Sequence, residues 1–214
     1  MTESPTKGDH ARAEILAAAK RLFLSQGFNG TSMRAIAREA GDRAVAGLYN
    51  HFPTKEAIFR ALIEEQNPYD ELFEIFEAEL SRAQTAPDFV RGALATVLQV
   101  MPRHYEFVQL VQIDLREFEG RNVQGLLQTR LFPRLLTVLQ RVQALPGLKP
   151  IDPIVLLRLM ASLVLGYIIT DQLAPQNIFG TYSRAEWAEF LADALLEGLA
   201  APESDSPSGR TDTL

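Results

Sequence analysis

Apolar residues recur at intervals of three and four along almost the whole chain, the spacing of one face of an α-helix. Ile15, Ala19, Leu22 and Phe23 share a face of a helix predicted over Ala11–Gln26. Gly27 follows at the position where left-handed backbone is cheapest for glycine, and Phe28 supplies the apolar contact of a helix stop. Met33, Ile36, Ala37 and Ala40 define a second helix, Ser32–Ala40, with Thr31 or Ser32 as its N-cap and Gly41 as its end. Val45, Leu48, Tyr49 and Phe52 define a short third one, Arg43–His51, with Asp42 as N-cap and Pro53 as its stop. A fourth begins after the N-cap Thr54 and buries Ile58, Phe59, Leu62 and Ile63.

Longer helices follow, near 69–83, 88–101, 103–118, 122–144, 153–173 and 183–200, separated by Pro102, Gly120, "LPGLKP" and "APQNIFG". Strand signals are poor. Helical periods flank the Asn29-Gly30 pair on both sides, so it does not mark a hairpin. The fold class expected is all-α. Residues 202–214, "PESDSPSGRTDTL", are polar almost to the end, and disorder is expected there.

Composition narrows the function. The chain has 214 residues, enough for a sizeable core, and no cysteine, which excludes disulfides, thiolate zinc sites and a cysteine nucleophile. His10, His51 and His104 lie far apart without metal-ligand spacing, so neither a metal nor another cofactor is expected. No nucleophile–base–orienter set stands at helical spacing, which argues against an enzyme. The N-terminal stretch lacks an apolar signal core. The apolar run 155–169 is read as too short for a bilayer and carries Arg158, so the expectation is a cytoplasmic protein without a membrane partner. Net charge is −6, but unevenly spread: residues 1–63 carry nine Lys and Arg against six Asp and Glu, and the remainder twelve against twenty-one. A mildly basic head on an acidic body suits a protein whose head alone meets a polyanion.

Three short helices with a turn at Gly41 outline a helix-turn-helix, whose second helix enters the major groove of DNA. The segments "ILAAAKRLFLSQGFNGTSMRAIAREAG" and "LYNHFPTKEAIFRAL" resemble the TetR family of bacterial transcriptional regulators. The resemblance rests on Gly27-Phe28, Thr31-Ser32, Ile36-Ala37, Ala40-Gly41, Leu48-Tyr49, His51-Phe52 and Lys55-Glu56, and covers about residues 11–63. The chain departs from the family pattern in the turn before Leu48-Tyr49, where "DRAVAG" has six residues in place of the usual five.

The resemblance implies an N-terminal arm and helix-turn-helix domain over 1–54, a larger helical effector-binding and dimerisation domain over 55–201, and a tail over 202–214. It implies a homodimer on a near-palindromic double-stranded operator, most often a repressor released by a small-molecule effector. The alternative is a helical interaction or ligand-binding module that has lost DNA binding. Phosphate contacts are expected from Thr31, Ser32, Tyr49, His51 and Lys55, and base reading from Arg34, Arg43 and Asn50. Asp114 lies on an apolar stripe, either lining an effector pocket or paired with a core arginine such as Arg158, the favoured reading. Tyr105, Gln109, Gln112 and Tyr167 are the other pocket candidates. The last two helices form the expected dimer surface, through Leu157, Ala161 and Leu165 on one and Trp187, Phe190, Leu191, Ala194 and Leu195 on the other.

Overall fold

A computed structural model of the chain describes residues 6–173 and 180–199. The tail expected to be disordered, 202–214, lies outside the described residues. Eleven α-helices and no β-strand occur among the described residues: α1 Lys7–Gln26, α2 Met33–Glu39, α3 Val45–Tyr49, α4 Lys55–Gln66, α5 Tyr69–Arg82, α6 Ala86–Val100, α7 Tyr105–Glu117, α8 Arg121–Leu126, α9 Phe132–Gln143, α10 Pro153–Leu173 and α11 Arg184–Leu199.

Local chemistry explains where the boundaries differ from those expected. Helix α1 starts four residues early because Thr6 and Asp9 form a reciprocal capping box, each side chain accepting the other's backbone N–H. Ser32, not Thr31, caps α2, accepting from Ala35 N at 3.1 Å. Asp42 is not the cap of α3. It sits at φ +53° directly after Gly41 at φ +90°, and α3 starts only at Val45, behind Ala44. The turn's extra residue is thus absorbed as a second left-handed residue, a conformation aspartate tolerates better than most. Two bonds close it, Asp42 N to Arg38 O and Arg43 N to Ala37 O, both 3.0 Å.

The single helix expected over 122–144 is two helices joined by a π-turn, Leu127–Leu131. Phe132 N–H donates to Leu127 O, five residues back. Pro133 lacks an N–H, and its ring would clash with the carbonyl four residues earlier. The wider turn relieves that conflict.

The chain divides into two compact units, residues 1–73 with 100–135 and residues 74–99 with 136–214. The first holds a continuous core in which Ile15, Ala19 and Phe23 of α1, Ile36 of α2, Leu48 of α3 and Ile58, Phe59 and Leu62 of α4 pack with Phe107 and Leu110 of α7 and Val123 of α8. Helix α4, assigned to the larger domain from its sequence, therefore packs in one core with α1–α3. In the second unit Val90, Ala93 and Leu94 of α6, Val138 and Val142 of α9, and Ala188 and Ala192 of α11 are buried.

Helix α10 is apolar nearly all round, yet only Leu156 and Ile168 are buried. Its 21 residues make it long and apolar enough to cross a membrane by length and composition, which corrects the expectation that the apolar run is too short. Ile154, Val155, Leu159, Leu165 and Ile169 are each at least 39% exposed.

Asp114 is fully buried, and its partner is not Arg158. Its carboxylate accepts Asn122 Nδ2–H at 2.7 Å and Val123 N–H at 2.9 Å, capping the start of α8. Arg158 is exposed and lies in the other unit. Asp114→Ala strips a buried amide of its acceptor, so urea unfolding should register a loss of about 2–3 kcal/mol. Arg158→Ala should cost less than about 0.5 kcal/mol, as an exposed position would.

Candidate nucleic-acid interface

Helix α3 has only five residues, too few to hold itself together, so its position depends on two anchors. Leu48 is fully buried and Phe52 is 4% exposed. Phe52 N–H and His51 N–H both return to Leu48 O, at 2.8 and 3.0 Å, which extends the turn past Tyr49. With these anchors pointing inward, the intervening side chains point out. Tyr49 is 53% exposed, Asn50 is exposed and His51 is half-buried. Tyr49 falls on the apolar period of α3, yet the helix is too short to bury its ring.

Helix α2 adds Ser32, Arg34 and Arg38, all exposed. The Ser32 oxygen accepts the capping bond, which leaves its own hydroxyl hydrogen available. Neither Arg34 nor Arg38 makes an ion pair among the described residues, whereas Arg12, Arg21 and Arg43 each pair with a glutamate. Arg38 was not singled out from the sequence. The signal was present, because it stands four residues after Arg34 and so on the same face.

Three of the expected contact residues are used inside the protein. Thr31 is 2% exposed and its hydroxyl donates to Gly27 O at 2.9 Å. The Arg43 guanidinium donates to Ala40 O and to the Glu14 carboxylate, which directs it towards α1. Lys55 Nζ donates to Phe28 O and Thr31 O, both at 2.7 Å, and stands 4.0 Å from the centre of the Phe28 ring. Two of its three N–H bonds thus hold the α1–α2 turn. Burial draws the Lys55 pKa down, against the opposing influence of Glu56 and Glu117.

The same turn is held from its other side. Glu117, the last residue of α7, accepts Phe28 N–H at 3.2 Å and Asn29 N–H at 2.7 Å. Burial would raise its pKa, but the Arg116 guanidinium and the two amides of Asn29 and Phe28 more than offset this and leave it lowered. The next residue, Phe118, packs 4.5 Å from Phe28 and 5.0 Å from Phe59, ring centre to ring centre. Sequence spacing gave no sign of Glu117, since nearly ninety residues separate it from the turn.

The pocket candidates are not brought together. Gln109 and Gln112 line one cleft of about 360 Å³ with Ser25, Gln26 and Arg116. Tyr167 lines a different one of about 260 Å³, in the other unit, with Ser162 and Trp187. Asp114 has both oxygens engaged, and Tyr105 is half-buried at the start of α7. A cavity of about 870 Å³ opens in the first unit beside α4 and α8, lined by Phe28, Arg60, Phe118, Arg121 and Arg130 among others, and contains none of the candidates.

Lys55→Met keeps the apolar stem but abandons two charge-assisted bonds to part-buried carbonyls. Chemical unfolding should show a loss of about 1.5–3 kcal/mol. A variant as stable as the parent would reassign Lys55 to the surface.

Residues 15–62 match the family model described as bacterial regulatory proteins, tetR family. The HTH-type transcriptional regulator UidR of Escherichia coli (strain K12) is 36% identical over 63 residues, 29% of this chain and 32% of that protein. The chain thus matches about a third of the length of such curated relatives. Over nearly the whole chain the likeness is one of fold. A crystal structure assigned to the TetR family, from Mesorhizobium loti MAFF303099, superposes with a TM-score of 0.64 at 21% identity, covering 92% of this chain and all of that one. The superantigen PfiT superposes with a TM-score of 0.66 at 23% identity, with the same coverage. The two-anchor α3, the capped α2 and the turn between them occupy the matched segment, so residues 15–62 are similar to the tetR family of bacterial regulatory proteins, and the chain as a whole shares the fold of the solved structures.

Proposed function

We propose that the protein is a cytoplasmic, sequence-specific DNA-binding transcriptional regulator, acting as a homodimeric repressor that a small-molecule effector releases from its operator. The observation that carries this reading is the outer face of α2 and α3. Ser32, Tyr49 and His51 supply hydroxyl and imidazole donors for phosphates, and the third hydrogen of Lys55 is a fourth. Arg34, Arg38 and Asn50 are exposed side chains of the types that read guanine and adenine edges.

Gly47 adds support of a different kind. It lies in mid-helix, its backbone has no positive φ, and a Cβ there would meet nothing within 4 Å. Nothing inside the chain calls for glycine, which costs a helix about 0.5–1 kcal/mol relative to alanine. Close approach of an outside partner to α3 would account for it. Gly47→Ala should therefore raise the unfolding free energy by up to about 1 kcal/mol while weakening duplex binding. The parent's affinity should fall steeply with salt as phosphate contacts release counterions. Absence of binding to any duplex, including a randomised library, would overturn the reading.

The dimer is proposed on the exposed apolar faces of α10 and α11. Leu165, at 49% exposure, and Phe190, at 47%, flank small positions at Ala161, Ser162, Gly166 and Ala194 that allow close helix approach. Leu195 is already 7% exposed within the protomer and serves its own core, while Leu157, Trp187 and Leu191 are intermediate. A second copy related by a two-fold axis covers these faces. It would place two α3 helices about 34–36 Å apart, one turn of DNA, on a near-palindromic site. Gln109 and Gln112, which share a cleft against the end of α1, are retained as effector contacts. By linkage, effector and operator weaken each other's binding by the same factor. Leu165→Arg disturbs no protomer core, so sedimentation should show a folded monomer; an unchanged dimer would exclude this surface.

A further inference from the structure

We propose that Glu117 is a positioning residue for the DNA-contacting face: its carboxylate sets the α1–α2 turn, and with it the presentation of α2 and α3. The consequence for DNA rests on the reading above; the claim about the turn does not.

The turn is gripped by opposite charges on its opposite backbone groups. Lys55 Nζ takes the carbonyls of Phe28 and Thr31, and the Glu117 carboxylate takes the amides of Phe28 and Asn29. The Glu117 side chain is only 8% exposed, unlike Glu106 on the same helix, which pairs with Lys20 at 51% exposure. Its backbone is fixed by the neighbouring Phe118, wedged against Phe28 and Phe59. Arg116 holds Oε1 from the solvent side at 3.0 Å.

Gly27 makes room for this arrangement. A Cβ there would stand 2.9 Å from Glu117 Oε1 and 3.4 Å from Arg116 Nη2, and the residue's φ of +75° already disfavours any other side chain. Thr31 then spans the turn with its hydroxyl on Gly27 O, and Ser32 opens α2 directly behind it. A carboxylate contributed by α7 thus orders the segment from which α2 departs.

Electrostatics and positioning predict opposite signs. A carboxylate close to a surface that meets phosphates repels them, so removing its charge should tighten DNA binding if charge were its only contribution. The positioning role predicts the reverse. The Phe28 and Asn29 amides bond to different oxygens of the carboxylate, so in Glu117→Gln the side-chain NH2 faces one of them in place of an acceptor.

The test compares parent and E117Q on the duplex that the parent selects from a randomised library, across a salt series, with hydrogen exchange read at the Phe28 and Asn29 amides. The expected result is binding weaker by about ten-fold at fixed salt, an unchanged dependence on salt, and lost protection of at least one of the two amides. Glu119→Gln removes the same charge from an exposed neighbour and should bind at least as tightly as the parent. Val142→Ala destabilises a buried position of the other unit and should bind normally, which separates positioning from general loss of stability. E117Q binding as tightly as the parent, or retaining protection at both amides, would overturn the proposal. If the parent selects no duplex, the DNA-binding reading falls, and amide exchange alone decides whether Glu117 orders the turn.

Discussion

Four phenylalanines from four parts of the chain meet around one turn. Phe23 lies in the last turn of α1, Phe28 lies in the turn that follows, Phe59 comes from α4 and Phe118 follows α7, with ring centres 4.5–5.6 Å apart in successive pairs. Packing them leaves the Phe28 amide and the Phe28 and Thr31 carbonyls part-buried, where unpaired polar groups are costly. Glu117 and Lys55 resolve that cost with two bonds each. The geometry of α2 and α3 follows from this constraint, since both helices are too short to persist unaided.

Economy of polar groups explains which side chains remain for a partner. Thr31 and Arg43, satisfied internally, are withdrawn from the outer face, and Lys55 keeps one of its three N–H groups free of the turn. What is left is a small set: Ser32, Arg34, Arg38, Tyr49, Asn50, His51 and the third N–H of Lys55. The two arginines on α2 stand out because neighbouring arginines on α1 and in the α2–α3 turn are paired with carboxylates. A similar contrast holds for apolar groups. The first unit closes its core, while α10 presents Leu159, Leu165 and Ile169 outward.

Much of the fold was legible along the chain. Helical periodicity located the elements, and residues such as Leu48, Phe52, Ile36 and Phe59 were identifiable as core from spacing alone. Boundaries were harder where local chemistry competed with period. The Thr6–Asp9 box lengthened α1, and Pro133 forced a π-turn into what reads as one helix. Site residues were legible as types and positions but not as roles. Lys55 lies at the expected place in the motif, yet the carbonyls it serves belong to a turn more than twenty residues away.

The sequence by itself determined the all-helical class, the helix-turn-helix outline and the inward anchors of α3, because these depend on periodicities and caps that act within a few residues. Only the tertiary structure decided that Glu117 reaches the α1–α2 turn, that Asp114 caps α8, and that Arg43 turns to Glu14. Pairings of that kind join residues whose separation along the chain carries no information about their separation in space. They are fixed by the packing of the helices, which brings partners distant along the chain within reach.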